Sequence, residues 1–135
     1  MFIKKIKYTD FLGVDREETF YFNLSKAEIA DLNMQEDGRL TNFLQELVAA
    51  KDNKEMWNRL ISIILKSYGK LSGDGRRLEK SPELSKAFTE TPAYDELLEW
   101  LTEDPEKNMA TFFNNVIPSD KKQDNRPQLE VVSTN

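Results

Sequence analysis

The spacing of apolar and polar positions changes period once along the chain. Residues 1–9 and 17–23 alternate with period two. Phe2, Ile6 and Tyr8 fall on one face of the first run, with Ile3, Lys5 and Lys7 opposite. Phe20 and Phe22 share a face of the second run, and Tyr21 lies on the other. Aromatic and branched residues in this pattern predict two strands. Residues 10–16 connect them, and Gly13 is free to take a positive φ there. A lone two-stranded hairpin is marginal in water. It must rest on helices of its own chain or pair its edges with another chain.

From Leu24 onward the period is helical. Ser25 and Glu28 form a capping box, with Leu24 and Ile29 placed as a hydrophobic staple, so a short helix is expected to about Met34, ended by Glu36, Asp37 and Gly38. Leu40, Phe43, Leu44, Leu47 and Val48 then mark a second helix. The widest stripe belongs to residues 52–69: Trp57, Leu60, Ile61, Ile64, Leu65 and Tyr68, broadened by Met56 and Ile63. Asp52 is placed to cap this helix and Gly69 to end it in the left-handed region. Its apolar density predicts a central helix.

A polar loop follows over residues 70–80. Three helices then begin alike, at Ser81-Pro82, Thr91-Pro92 and Asp104-Pro105, each with a capping residue before a proline at the first helical position. Their stripes are Leu84, Ala87 and Phe88; Tyr94, Leu97, Leu98 and Leu101; and Met109, Phe112, Phe113 and Val116. After Pro118 periodicity stops, which predicts a flexible polar tail over 119–135. Within it Leu129, Val131 and Val132 read as a docking strand or a frayed end. The predicted fold is α+β, mainly α: a β-hairpin over 1–23, then about six helices over 25–117 around the central one. Residues 1–118 form the single globular domain.

Composition narrows the function. At 135 residues, with 39% hydrophobic and 32% charged residues, the chain suits one soluble domain. Its 24 acidic against 19 basic residues give a net charge of −5, unlike the basic surplus of a duplex-binding domain. Cysteine and histidine are both absent. That removes disulfides, the usual zinc sites and the Ser-His and Cys-His nucleophile systems. The first residues lack the apolar core of a signal peptide, and no run nears the ~18 apolar residues of a membrane span. An intracellular protein without membrane or nucleic-acid partners is expected.

Two clusters invite chemistry. Gly73, Gly75, Arg76 and Arg77 read either as an anion-binding nest or as a tight turn with solvated charges, and they lack the lysine and hydroxyl of a P-loop. Asp95, Glu96, Glu99, Glu103, Asp104 and Glu106 are acidic neighbours, but helical phasing puts Asp95 and Glu99 on a polar face. No catalytic, cofactor-binding or metal-binding residue emerges, and no enzyme is expected.

One family shares the order of several motifs. Tyr8-Thr9-Asp10-Phe11-Leu12-Gly13, the run from Glu18 to Glu28, Ile64 to Gly69, Asp74 to Arg77, Lys80 to Leu84, Ala93-Tyr94, and Phe112 to Pro118 together resemble tail assembly chaperones of long, non-contractile-tailed bacteriophages. The likeness spans roughly residues 8–118. It implies a non-enzymatic protein that binds the tape measure protein, keeps it soluble and helps recruit tail tube subunits. It also implies a homo-oligomer in the host cell cytoplasm that is absent from the mature virion. Many such proteins have a longer form made by ribosomal frameshifting, and the tail after Pro118 suits the start of one. On this reading Phe2, Ile6, Tyr8, Phe20, Tyr21 and Phe22 are candidates for self-association, and Trp100, Phe112 and Phe113 for client binding. The alternative is a small phage regulatory or nucleic-acid-associated protein using Arg76 and Arg77 with Lys4, Lys5 and Lys7. A carboxylate-based hydrolase is a third reading, for which no concave site is evident.

Overall fold

The computed structural model describes residues 1–35, Glu46 and residues 54–118. Strand β1 (Phe2–Thr9) and strand β2 (Asp15–Phe22) form the expected antiparallel hairpin, in register from Phe2 opposite Phe22 to Thr9 opposite Asp15. The two-residue period places Phe2 and Ile6 in the core, with Ile3, Lys5 and Lys7 outside. Helix α1 (Lys26–Gln35) starts as its sequence dictates. The Ser25 N–H donates to Glu28 Oε1 at 2.9 Å, and the Glu28 N–H donates to Ser25 Oγ at 3.1 Å. Both bonds of the capping box are therefore made.

Helix α2 (Lys54–Ser67) replaces the predicted central helix and ends sooner. Tyr68 and Gly69 belong instead to strand β3 (Tyr68–Leu71), which pairs with β2 through Tyr21 opposite Gly69 and Phe22 opposite Tyr68. Gly69 is thus no helix terminator. A Cβ there would meet Leu78 Cγ at 2.7 Å and the Glu79 carbonyl oxygen at 2.9 Å, so glycine permits close approach of strand β4 (Leu78–Glu79). The predicted polar loop is mostly the β3–β4 hairpin, and the sheet has four strands in the order β1-β2-β3-β4.

Helices α3 (Pro82–Thr89), α4 (Pro92–Glu103) and α5 (Pro105–Val116) begin at the three prolines. Ser81 caps α3 with its hydroxyl, accepting the Leu84 N–H at 3.0 Å. Thr91 and Asp104 make no such side-chain bond: Thr91 Oγ1 donates back to the Phe88 carbonyl at 2.7 Å. The described residues hold five helices against the six expected. The helix read from Leu40 to Val48, its preceding stop at residues 36–38, the Asp52 cap and the tail over 119–135 lie outside the described residues.

The centre is aromatic and lies between the sheet and the last helices, not along α2. Phe22 is fully buried, with ring centroids 5.5 Å from Phe112, 5.8 Å from Tyr68 and 5.9 Å from Phe88. Phe2 joins Phe22, Phe112 and Trp100 into the same cluster. Helix α2 contributes Leu60, Ile63 and Ile64, while Met56, Trp57, Ile61 and Leu65 are only partly buried. Its stripe is wide, yet it covers one side of a core that the sheet and α3–α5 build. Two polar bonds lock the closure. The Leu24 N–H donates to the Val116 carbonyl at 3.0 Å, and Asn108 Nδ2 donates to the Trp100 carbonyl at 2.8 Å.

Candidate functional site

The tip of the first hairpin is built around one carboxylate. Asp10 Oδ1 accepts the Leu12 and Val14 N–H groups, both at 2.9 Å, and Asp10 Oδ2 accepts Arg16 Nε at 2.6 Å. The Asp10 N–H donates to the Val14 carbonyl at 2.8 Å, and Gly13 takes φ +81° between them. The Arg16 bond, with those from Val14 and Leu12, holds the Asp10 carboxyl below the usual carboxylate range. This fixed frame presents Phe11 at 82% exposure, Leu12 at 88% and Val14 at 48%. A turn asks only for Asp and Gly here. Large apolar groups at its apex add nothing to the chain's own core.

At the other end of β2 the sheet opens. Strand β3 pairs with Tyr21 and Phe22 and then turns to pair with β4 at Lys70 and Leu71. The outer edge of β2 from Phe20 back to Asp15 has no strand partner among the described residues. Between the diverging strands and α3 lies a cleft of about 530 Å³, lined by Glu18 to Tyr21 of β2, by Tyr68, Lys70 and Leu71 of β3 and by Leu84, Ala87 and Phe88 of α3. Its floor is stiff, because Tyr68 and Phe88 stack with centroids 4.4 Å apart and Phe20 meets Phe88 at 5.4 Å. Burial raises the Tyr68 phenol above its ordinary pKa, so it stays neutral.

The residues expected to self-associate divide by depth. Phe2, Ile6 and Phe22 are buried in the core, whereas Tyr8, Phe20 and Tyr21 are partly exposed. Tyr8 donates to the Glu18 carboxylate across the hairpin, and that bond raises the phenol's pKa. Of the residues expected to take a client, Phe112 and Phe113 are buried and face Phe2, Phe22 and each other. Trp100 is half-buried, stacked on Phe2 at 5.6 Å and covered by the Lys4 ammonium 4.3 Å from its ring. Phe112 and Phe113 thus lie in the core, and Trp100 lies at its border. The exposed tip residues Phe11, Leu12 and Val14 lie in what the sequence reads as a connection. Their signal was visible as two large apolar residues inside an Asp-to-Gly turn.

The charged clusters resolve plainly. In the second hairpin the Arg76 N–H donates to Asp74 Oδ1 at 3.0 Å, the Arg77 N–H to Ser72 Oγ at 3.0 Å and the Gly75 N–H to the Ser72 carbonyl at 2.9 Å. The turn thus uses the Gly75, Arg76 and Arg77 N–H groups internally, and Arg77 pairs with Glu79 at 2.8 Å. Lys4 is engaged on Trp100. Among the described residues no group of three or more acidic, histidine or cysteine side chains is placed to hold a metal ion, and no helix is long and apolar enough to cross a membrane.

The described residues thus present an exposed apolar hairpin tip, an open strand edge and a cleft with aromatic lining. The chain matches the family model described as phage tail assembly chaperone over residues 1–134, and it belongs to that family. No curated protein and no solved structure matches it.

Proposed function

We propose that this protein binds the tape measure protein of its phage, keeps that long chain soluble and helps bring tail tube subunits to it. It does so without enzymatic chemistry, as a homo-oligomer in the host cytoplasm, and leaves before the virion matures. Membership of the tail assembly chaperone family over residues 1–134 carries this reading. Two physical features support it. A net charge of −5 favours solubility of an assembly, and contact surfaces, rather than reactive groups, distinguish the molecule. A tape measure protein, read as long, helical and apolar-striped, needs many modest contacts repeated along its length.

Co-expression of the full chain with its own phage's tape measure protein tests the proposal. The expected result is a client that is soluble only in the complex, with several copies of this chain per client by light-scattering mass. A client equally insoluble with and without this chain overturns it.

A further inference from the structure

We propose that the carboxyl-terminal segment Leu129-Glu130-Val131-Val132 lies as an added strand on the open edge of β2 and covers the β2/β3/α3 cleft of its own chain until a partner strand displaces it. The segment belongs to residues 119–135, which lie outside the described residues. The surface that receives it is described. Phe20 is partly exposed in the cleft, and Leu71 is 39% exposed at its mouth. The edge of β2 from Phe20 back to Asp15 has no strand partner among the described residues. An unpaired edge above an apolar floor recruits an extended segment: main-chain bonds hold it, and every second side chain enters the floor.

Three features single out this segment. The first is composition. From Ser119 to Gln128 the chain carries no large apolar side chain, whereas Leu129, Val131 and Val132 follow at once. Branched residues suit a pleated surface, and alternation directs Leu129 and Val131 to the cleft and Glu130 to solvent. Pro127 has no N–H to give a ladder, so pairing begins after it. The segment is as long as the edge from Glu17 to Phe20.

The second is origin. The Val116 carbonyl accepts the Leu24 N–H at 3.0 Å, so α5 delivers the chain to the Phe22 end of β2. From Leu24 back to Phe20 is about 13 Å at ~3.3 Å per residue, and residues 119–128 span up to about 33 Å at the same rise. The third is direction. Strand β3 starts at that end and runs antiparallel to β2 as far as Gly69 opposite Tyr21. A strand arriving from Val116 keeps the same sense along the edge that β3 leaves open, with no reversal of the chain. A tether of this length holds the segment at an effective concentration on the order of millimolar. Weak pairing therefore keeps the cleft covered, and a partner strand takes the edge only by outcompeting it. The contact stays within one chain and involves no client, so it stands or falls apart from tape measure binding.

Hydrogen exchange read by mass spectrometry on the full chain tests this. The outward amides of Glu17 to Phe20 should exchange at least about tenfold more slowly in the wild type than in Leu129→Asp with Val131→Asp. Ser133→Asp with Thr134→Asp, which adds the same charge beyond the segment, should keep the slow exchange. Equal exchange in the wild type and the first variant, or equal loss in both variants, overturns the inference. A second measurement reads position. The chain has no cysteine, so Ser133→Cys carries a single nitroxide. It should broaden the amide signals of Phe20, Leu71 and Ala87 and spare Leu12 at the hairpin tip; broadening elsewhere, or none, overturns the placement. Mixing isotope-labelled Leu129→Asp, Val131→Asp chain with unlabelled wild type separates the two sources of a tail. Its edge should stay fast to exchange, and protection gained in the mixture would mean that the segment docks on another copy, against the proposal.

Discussion

The two hairpins of this fold solve one problem with one device and then diverge. In the first, Asp10 gathers the N–H groups of its turn and Gly13 takes φ +81°. In the second, Asp74 accepts the Arg76 N–H and the Ser72 hydroxyl, and Gly75 takes φ +74°. Both carboxyls are held below the ordinary carboxylate range by such bonds: for Asp10 mainly the Arg16 guanidinium, for Asp74 mainly the Arg76 N–H. The residues displayed are opposite in kind. Ser72, Gly73 and Arg76 crown the second turn, as solvent requires, while Phe11 and Leu12 crown the first. Since the polar turn forms by the same means, backbone geometry does not account for the apolar one. Phe11 and Leu12 are exposed apolar groups that the turn itself does not require.

That contrast can be broken at several depths. Phe22→Ala empties the shared aromatic core beneath the first hairpin and should cost about 3–5 kcal/mol in denaturant unfolding. A loss under ~1 kcal/mol would mean that the hairpin is not seated on the helices as described. Gly69→Ala drives a methyl group into Leu78 and the Glu79 carbonyl, where the second hairpin meets the first. It should cost about 1–3 kcal/mol, whereas Gly73→Ala, with open space around it, should stay within ~0.5 kcal/mol.

The clasp between the hairpins gives a smaller, pH-dependent effect. Lys80, just after β4, donates to Glu28 Oε1 at 2.7 Å and to the Asn23 carbonyl just after β2. Burial pushes the Glu28 carboxyl up, but the Lys80 bond and the Ser25 N–H together hold it below its ordinary 4.5. A depressed carboxyl stabilises fully above its unfolded value and loses that contribution as pH falls through its folded one. Lys80→Met should therefore cost about 1 kcal/mol at neutral pH. The gap from wild type should narrow as pH drops below 4.5, read from thermal melts across that range. The smallest effect falls at the tip, where Phe11→Ser with Leu12→Ser should leave unfolding within ~0.5 kcal/mol of wild type. A large loss would make these side chains structural and erase the contrast with the second turn.

Local signals were legible in the sequence. The β1–β2 alternation, the Ser25–Glu28 box and the three proline starts each depend on residues within one turn or one strand of each other, and each is found. Tyr68 and Gly69 misled because their partners are distant in sequence. A glycine after an apolar helical stripe looks like a helix end, and only pairing with Tyr21 and close approach of Leu78 reveal a strand. The same distance hides the role of Phe112, which reads as a surplus apolar group until Phe2 and Phe22 are seen against it. For the candidate contact residues the sequence shows apolar character but not depth, which places Phe2, Ile6, Phe22, Phe112 and Phe113 in the core and leaves Tyr8, Phe20, Tyr21 and Trp100 partly exposed. Aromatic strands attract attention, and Phe11 and Leu12 escape it by sitting in a loop.

The bond between Leu24 and Val116 and the packing of Phe2 on Phe112 also set an order of events during synthesis. The first strand made is among the last to be covered. A growing chain covers Phe22 with Tyr68 and Phe88 and Phe2 with Trp100 first, and completes the face only when Phe112 of α5 has emerged; such long-range closure slows folding. Its exposed apolar face is a hazard in the meantime. A polypeptide cut short before α5 lacks the Phe112 contacts with Phe2 and Phe22 and the Val116 carbonyl that accepts the Leu24 N–H.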